Sequence, residues 1–221
     1  MIGIFGDTKT WMFGTTSDLS KEIIKNLDNP ICFGRHNVDY SDPDKFIKEH
    51  VVDNTPVNIC VNVFIDTKYG VIETLEEFKE VHNRMAPTIF FFYKLLTMTA
   101  SLKKPVKVCY ITSTFPNSYI ANPKEKLVSP TSRNKIYENT FIYGSARAMQ
   151  QFAYISRHNE FCRSIGVSPS NITKENIFEY GKTIAELLYK DNDDRQWESV
   201  YDLYSKCWFR NQYLHRSWTM I

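Results

Sequence analysis

A doubly wound α/β fold, a mainly parallel sheet of about six strands with helices on both faces, is predicted by three observations. Short apolar runs rich in Val, Ile and Phe alternate with longer segments of helical periodicity. The 221 residues, 43% hydrophobic and 24% charged, suffice for one soluble domain with a sizeable core. No repeat or low-complexity tract interrupts the alternation.

The first strand is expected over 9–13. A helix over 18–27 follows, because Leu19, Ile23, Ile24 and Leu27 recur at helical spacing and Ser17 or Asp18 can cap its start. Strands over 30–33 and 58–64 flank a short helix at 41–51, where Ser41 and Asp42 precede Pro43 at a first helical position. A long helix over 75–99 leads to a strand at 107–112. Residues 115–139 are polar and rich in Pro, Ser, Asn and Lys, the composition of a long loop that serves as a lid or binding segment. Helices over 141–163 and 174–190 close the domain, the second with Thr173 as its cap. Right-handed crossovers distribute these helices over both faces. Residues 1–190 thus read as one doubly wound, Rossmann-type domain with an inserted loop at 115–139, and 191–221 as an aromatic helical extension packed on it. In that extension Trp197, Tyr201, Tyr204 and Trp208 fall at i, i+4, i+7 and i+11, a stripe suited to packing on its own domain or to a partner surface.

Composition excludes several functions. With 27 Lys+Arg against 25 Asp+Glu, a net charge of +2 and no basic block, nothing favours a nucleic-acid or membrane-surface partner. The longest apolar run, 86–100, is broken by Lys94 and is too short to cross a bilayer of about 30 Å. The first ten residues lack the layout of a secretion signal, so a cytoplasmic location is expected. Five dispersed cysteines without a C-x-x-C pair or clustered histidines predict small buried thiols and no metal.

Residues 13–20, Phe-Gly-Thr-Thr-Ser-Asp-Leu-Ser, carry the chain from the first strand to a helix N-terminus, where unpaired amide donors can hold a phosphate; the same pattern also suits a simple capped helix start. Tyr143 and Arg147, four apart on one helix face, place a cation beside a phenol whose pKa starts near about 10. A phenol tuned in this way is a general acid or base toward a carbonyl oxygen, which Ser113 can orient by hydrogen bonding.

In this order the motifs resemble those of the short-chain dehydrogenase/reductase family, over most of residues 9–188. The resemblance implies that Gly14, Thr15, Thr16, Asp18 and Leu19 form the nucleotide turn, with Asp18 and Ser20 standing where the family's second and third glycines stand. Arg35, following Gly34 after the second strand, resembles the basic site that favours a 2′-phosphate, implying NADP(H) rather than NAD(H). Asp39 resembles the acidic residue bordering the adenine, and Asn62 the one asparagine kept from the family's Asn-Asn-Ala-Gly segment. Carried over by position, Tyr143 is the acid/base, Ser113 the oxygen orienter, Asn83 the support of a proton-relay water, and Arg147 the replacement for a lysine. Residues 167–173 stand near the family's Pro-Gly segment that touches the nicotinamide, and read equally as a turn before the next helix.

The implied activity is NADP(H)-dependent oxidation or reduction of a small-molecule carbonyl or secondary alcohol, by a homodimer or larger homo-oligomer paired through the helices at 75–99 and 141–163, with Ile89–Phe92 suited to burial there. An alternative is a non-catalytic scaffold of the same fold, for nucleotide sensing, assembly or structure. It draws on Arg147, whose planar, permanently charged group cannot hand on a proton, on the altered glycine turn, and on the missing last strand.

Overall fold

Strand β1 (Thr10–Phe13) is followed by α1 (Asp18–Lys25), β2 (Ile31–Phe33), α2 (Pro43–Phe46) running into a π-helical turn (Ile47–Val51), and β3 (Asn58–Val61). Then come α3 (Leu75–Ser101), β4 (Val106–Ile111), β5 (Cys162–Ser168), α4 (Ile177–Tyr189), β6 (Ser199–Asp202) and β7 (Cys207–Arg210). This computed structural model describes residues 9–51, 55–63, 74–112, 149, 151, 153–154, 159–192, 196–197 and 199–210. One sheet runs in the order β2-β1-β3-β4-β5-β6-β7, parallel throughout except for the last pair. The doubly wound α/β prediction holds, with seven strands in place of six.

Local chemistry sets the helix starts. Ser17 Oγ accepts from Ser20 N at 3.1 Å, and Asp42 Oδ1 accepts from Lys45 N at 3.0 Å with Pro43 in the first turn. Thr74 and Glu77 exchange side-chain and backbone bonds of 3.2 and 3.1 Å at the head of α3. Thr173 Oγ1 accepts from Glu175 N and Asn176 N; it caps the turn before α4, whose own N-cap position is Asn176.

Alternation along the strands builds two cores. On β1, Trp11 and Phe13 join Phe33, Phe46, Phe91 and Phe92 under α2 and α3, while Met12 faces the other way into Leu19 and Ile23 of α1 and Ile184 and Leu188 of α4. Helices α1 and α4 pack closely because Gly181 has no Cβ: one placed there would lie 2.7 Å from the Glu22 carbonyl carbon. Phe91 and Phe92 belong to the chain's own core, and Phe90 is the exposed member of the segment expected at a subunit interface. Cys60 and Cys109, register partners on β3 and β4, are buried free thiols, as is Cys162. No described helix is long and apolar enough to cross a membrane.

The sheet also breaks a rule. The step from β5 through α4 to β6 runs the same way along the sheet as that from β3 through α3 to β4, yet α4 lies on the opposite face. The two crossovers therefore have opposite hands. Since β1-α1-β2 steps the other way with its helix on the α4 face, it shares the hand of β3-α3-β4, and β5-α4-β6 is the left-handed exception.

Three further expectations are corrected. The helix expected over 141–163 cannot reach its end, because β5 begins at Cys162; Asn159 Oδ1, accepting from Phe161 N and Cys162 N at 2.8 Å, turns the chain into it. The aromatic helix expected within 191–221 is instead the β6–β7 hairpin. Tyr201 and Trp208 are cross-strand partners with ring centroids 4.9 Å apart, so their seven-residue spacing reflects hairpin register rather than helical period. Finally, β6 supplies the last parallel strand that the sequence reading lacks.

Candidate functional site

Strand β1 has β2 on one side and β3 on the other, so the chain reverses direction across it and opens a crevice at the carboxyl ends of β1 and β3. A cavity of about 860 Å³ lies there, in the range of small-molecule and cofactor sites. Gly14, at its base, has φ of 80° and donates its N–H to Phe33 O at 2.8 Å, while Asn62 N donates to Phe13 O at 2.8 Å. The turn is thus clamped between β2 and β3. A Cβ on Gly14 would fall 2.2 Å from the Asn62 carbonyl oxygen.

Beyond Gly14 the turn enters α1, whose first amides face the crevice with the positive end of the helix dipole. Ser20, where a glycine was expected by resemblance, is fully buried; Asn62 Nδ2 donates to Ser20 Oγ at 2.8 Å and to Ser17 Oγ at 3.0 Å. The hydroxyl is accommodated because Asn62 satisfies it. Asp18 at the helix start is exposed and paired with Lys21 at 2.9 Å, whose hydrogen bond and charge hold its carboxyl below the usual value.

On the β2 side, Asn37 fixes the turn that carries Arg35: its Oδ1 accepts from Gly34 N at 2.6 Å and its Nδ2 donates to Cys32 O at 3.1 Å. Arg35 and Tyr40 line the cavity. Burial pushes the Tyr40 phenol up to about 12, against the opposing effect of the Arg35 charge. Asp39 does not line the cavity among the described residues; its carboxylate accepts from Ser41 N at 2.9 Å and Ser41 Oγ at 2.6 Å. Hydrogen bonds from the Ser41 side chain and backbone hold its carboxyl below the usual range.

Of the residues singled out from sequence, the cavity brings together Gly14, Thr15, Thr16, Asp18, Leu19, Arg35 and Asn62. Asn83 is exposed on α3 and is not among the described lining residues. Ser113, Tyr143, Arg147 and the 115–139 loop lie outside the described residues. Thr112, just before Ser113, is described: it lines the cavity, and its Oγ1 accepts from the buried Gln151 Nε2 at 2.8 Å.

The opposite wall comes from the 167–173 segment, for which the sequence left a cofactor contact and a simple turn equally open. Ser168, Pro169 and Ser170 line it, followed by Ile172 and Ile177. Beneath them lies Asp202, 5% exposed, brought beside Ser168 by the β5–β6 register. Ser170 Oγ donates to Asp202 Oδ2 at 2.6 Å, and Ser205 N and Oγ donate to Oδ1 at 2.8 and 3.0 Å. Burial by itself raises this carboxyl, but the bonds from Ser170, Ser205 and Ser168 outweigh it and hold Asp202 below its ordinary 3.8. A carboxyl lowered in the folded state contributes stability above its unfolded pKa and loses that contribution as pH falls through the folded value. The urea midpoint of the wild type should therefore exceed that of Asp202→Asn by a constant amount from about pH 8 to 5, and the margin should shrink below about pH 4. A margin unchanged in acid contradicts this.

Neither a protein-family model nor a curated protein sequence matches the chain. Solved structures do. A structure described as a small-chain dehydrogenase matches with a TM-score of 0.58 at 15% identity, over 89% of this chain and 97% of its own. ElxO with NADP bound matches with a TM-score of 0.56 at 12% identity, over 89% and 97%. With an NADP-bound GDP-mannoheptose C4 reductase from Campylobacter jejuni the TM-score is 0.48 at 13% identity, over 73% of this chain; the chain spans 47% of that protein's length. The chain has the fold of the short-chain dehydrogenases/reductases.

Proposed function

We propose that this chain is an NADP(H)-dependent oxidoreductase of the short-chain dehydrogenase/reductase type, interconverting a carbonyl and a secondary alcohol. The observation that carries this reading is the crevice at the β1–β3 reversal, where the positive-φ Gly14 turn, the α1 N-terminus and Arg35 line one cavity. These parts suit a pyridine dinucleotide. Gly14 lets the turn lie directly against the Asn62 backbone, the α1 amides can hold a pyrophosphate, Arg35 can pair with a 2′-phosphate, and Tyr40 offers an aromatic ring beside it. That ElxO of the same fold is solved with NADP bound supports the choice. When bound, the cofactor supplies or accepts the hydride.

In this reading Tyr143 moves the proton at the carbonyl oxygen, Ser113 orients that oxygen, and Arg147 keeps positive charge near the phenol without relaying a proton. NADPH should raise the melting temperature of the purified protein, and Arg35→Ala should weaken NADPH binding about tenfold while leaving NADH binding unchanged. Absence of any response at millimolar NADPH rejects the dinucleotide reading. Tyr143→Phe should retain NADPH binding and lose roughly 100-fold or more in turnover, followed as NADPH consumption across a panel of aldehydes and ketones. Unchanged turnover removes Tyr143 as the proton donor. The exposed position of Asn83 favours a second reading, a dinucleotide-binding scaffold without a complete proton relay; binding of NADPH with no turnover on the panel would support it.

A further inference from the structure

Thr112 stands at the carboxyl end of β4, where its N–H donates to Val167 O at 2.8 Å and the residue lines the cavity. Alternation along β4 sends Ile111 into the α1/α4 core and Tyr110 into the core under α3, so Thr112 falls on the α3 side. Gln151 meets it there. Like Met149, Ala153 and Tyr154 it is in helical conformation, and it stands four positions after Arg147 and eight after Tyr143 in the sequence. Both side chains are buried, and a side-chain amide taken out of water is costly unless it is bonded. Gln151 Nε2 donates to Thr112 Oγ1 at 2.8 Å. That bond sets a polarity. A hydroxyl has one proton and two lone pairs, and the Gln151 N–H occupies one of the lone pairs. The Thr112 proton therefore points away from Gln151; among the described residues no acceptor takes it, and the open side is the cavity.

We propose that Gln151 is a positioning residue that acts through Thr112: by giving a proton to Oγ1, it leaves the Thr112 hydroxyl as a hydrogen-bond donor directed into the crevice, toward an acceptor oxygen of the bound ligand. The inference rests on the oxidoreductase reading and deepens it, because Thr112 directly precedes Ser113, to which that reading gives the reacting oxygen. The acceptor oxygen belongs either to the carbonyl substrate or to the cofactor, and the chemistry is the same in both. A buried hydroxyl with its proton turned to the cavity loses a bond when the ligand offers it only hydrocarbon.

The test uses the full chain, with calorimetric titration of NADPH and steady-state reduction of a carbonyl substrate taken from the panel. Thr112→Val matches the side-chain shape without the hydroxyl. It should lose about tenfold in NADPH affinity if the acceptor is on the cofactor, or about tenfold in kcat/KM at unchanged NADPH affinity if it is on the substrate. Thr112→Ser, which keeps the hydroxyl, should stay within about threefold of the wild type. Gln151→Glu puts an acceptor where the donor stood and draws the Thr112 proton out of the crevice. It should lose about tenfold in the same readout, and Thr112→Val combined with Gln151→Glu should lose no more than Thr112→Val alone. Gln151→Met, which removes the donor without burying a charge, should lose about threefold, and it decides the Gln151 arm if the glutamate variant does not fold. A bond that only holds the helix to the strand would lower the melting temperature of these variants and leave both readouts at wild-type values, which overturns the proposal. Equal losses in Thr112→Ser and Thr112→Val also overturn it, because the hydroxyl would then not be what counts. If the wild type binds NADPH without turnover, affinity alone decides, and an unchanged value in Thr112→Val overturns the proposal. A wild type that neither binds NADPH nor turns over overturns the oxidoreductase reading itself, and this inference with it.

Discussion

Replacing Gly14 with alanine should abolish NADPH binding within any practical concentration, a loss of at least about 100-fold, and lower the melting temperature by several degrees. Two costs combine. At φ of 80° a side chain is strained, by roughly 1–3 kcal/mol. In addition the new Cβ would sit 2.2 Å from the Asn62 carbonyl oxygen and 2.7 Å from its carbonyl carbon. Both are backbone atoms and cannot rotate away, so the ends of β1 and β3 must part. Those ends form the base of the crevice, and the Asn62 side chain, which locks Ser17 and Ser20 at the helix start, moves with them. Isothermal titration with NADPH and a thermal melt check the two halves separately. An alanine variant that binds like the wild type means that the turn does not hold the ligand.

Phe13→Ala should cost about 3–5 kcal/mol of unfolding free energy. Phe13 is fully buried, with ring centroids 4.9 Å from Phe33, 5.2 Å from Phe92 and 5.7 Å from Phe46. Removing it opens a void at the point where three elements meet, and neighbouring rings held at stacked and edge-on angles cannot close it without losing contacts of their own. Against a typical domain stability of about 5–15 kcal/mol the loss is large. Urea unfolding should show a markedly lower midpoint with an unchanged slope; a loss under about 1 kcal/mol would place the cluster outside the cooperative core.

These two adjacent residues were legible for different reasons. Phe13 stands in a short apolar run whose alternation requires one face to be buried, and Gly14 follows where a strand must turn into a capped helix. Helices α1, α3 and α4 were equally plain, because their apolar periods are long. Strand β5 was not, since Cys162–Ser168 mixes Arg, Gly and two serines into what should be an apolar run and follows a segment of helical pattern. The β6–β7 hairpin was hidden by an arithmetic coincidence: a pair seven apart lies on one side of a helix and equally well opposite itself across a turn. Asp39, a short carboxylate, bonds to its own backbone neighbourhood at Ser41, a local contact that spacing alone does not show. Asp202 could not be found at all without the fold, since the register that sets it beside Ser168 joins residues 34 positions apart.

The left-handed β5-α4-β6 crossover has a consequence for the order in which the protein becomes competent. To reach the face shared with α1, the chain leaving Ser168 must pass over the top of the sheet, and that passage supplies the roof of the crevice. During synthesis, then, a ribosome that has completed Ser168 has produced both strands at the base of the crevice but only half its enclosure. The roof is fastened only once Asp202 has emerged to accept from Ser170.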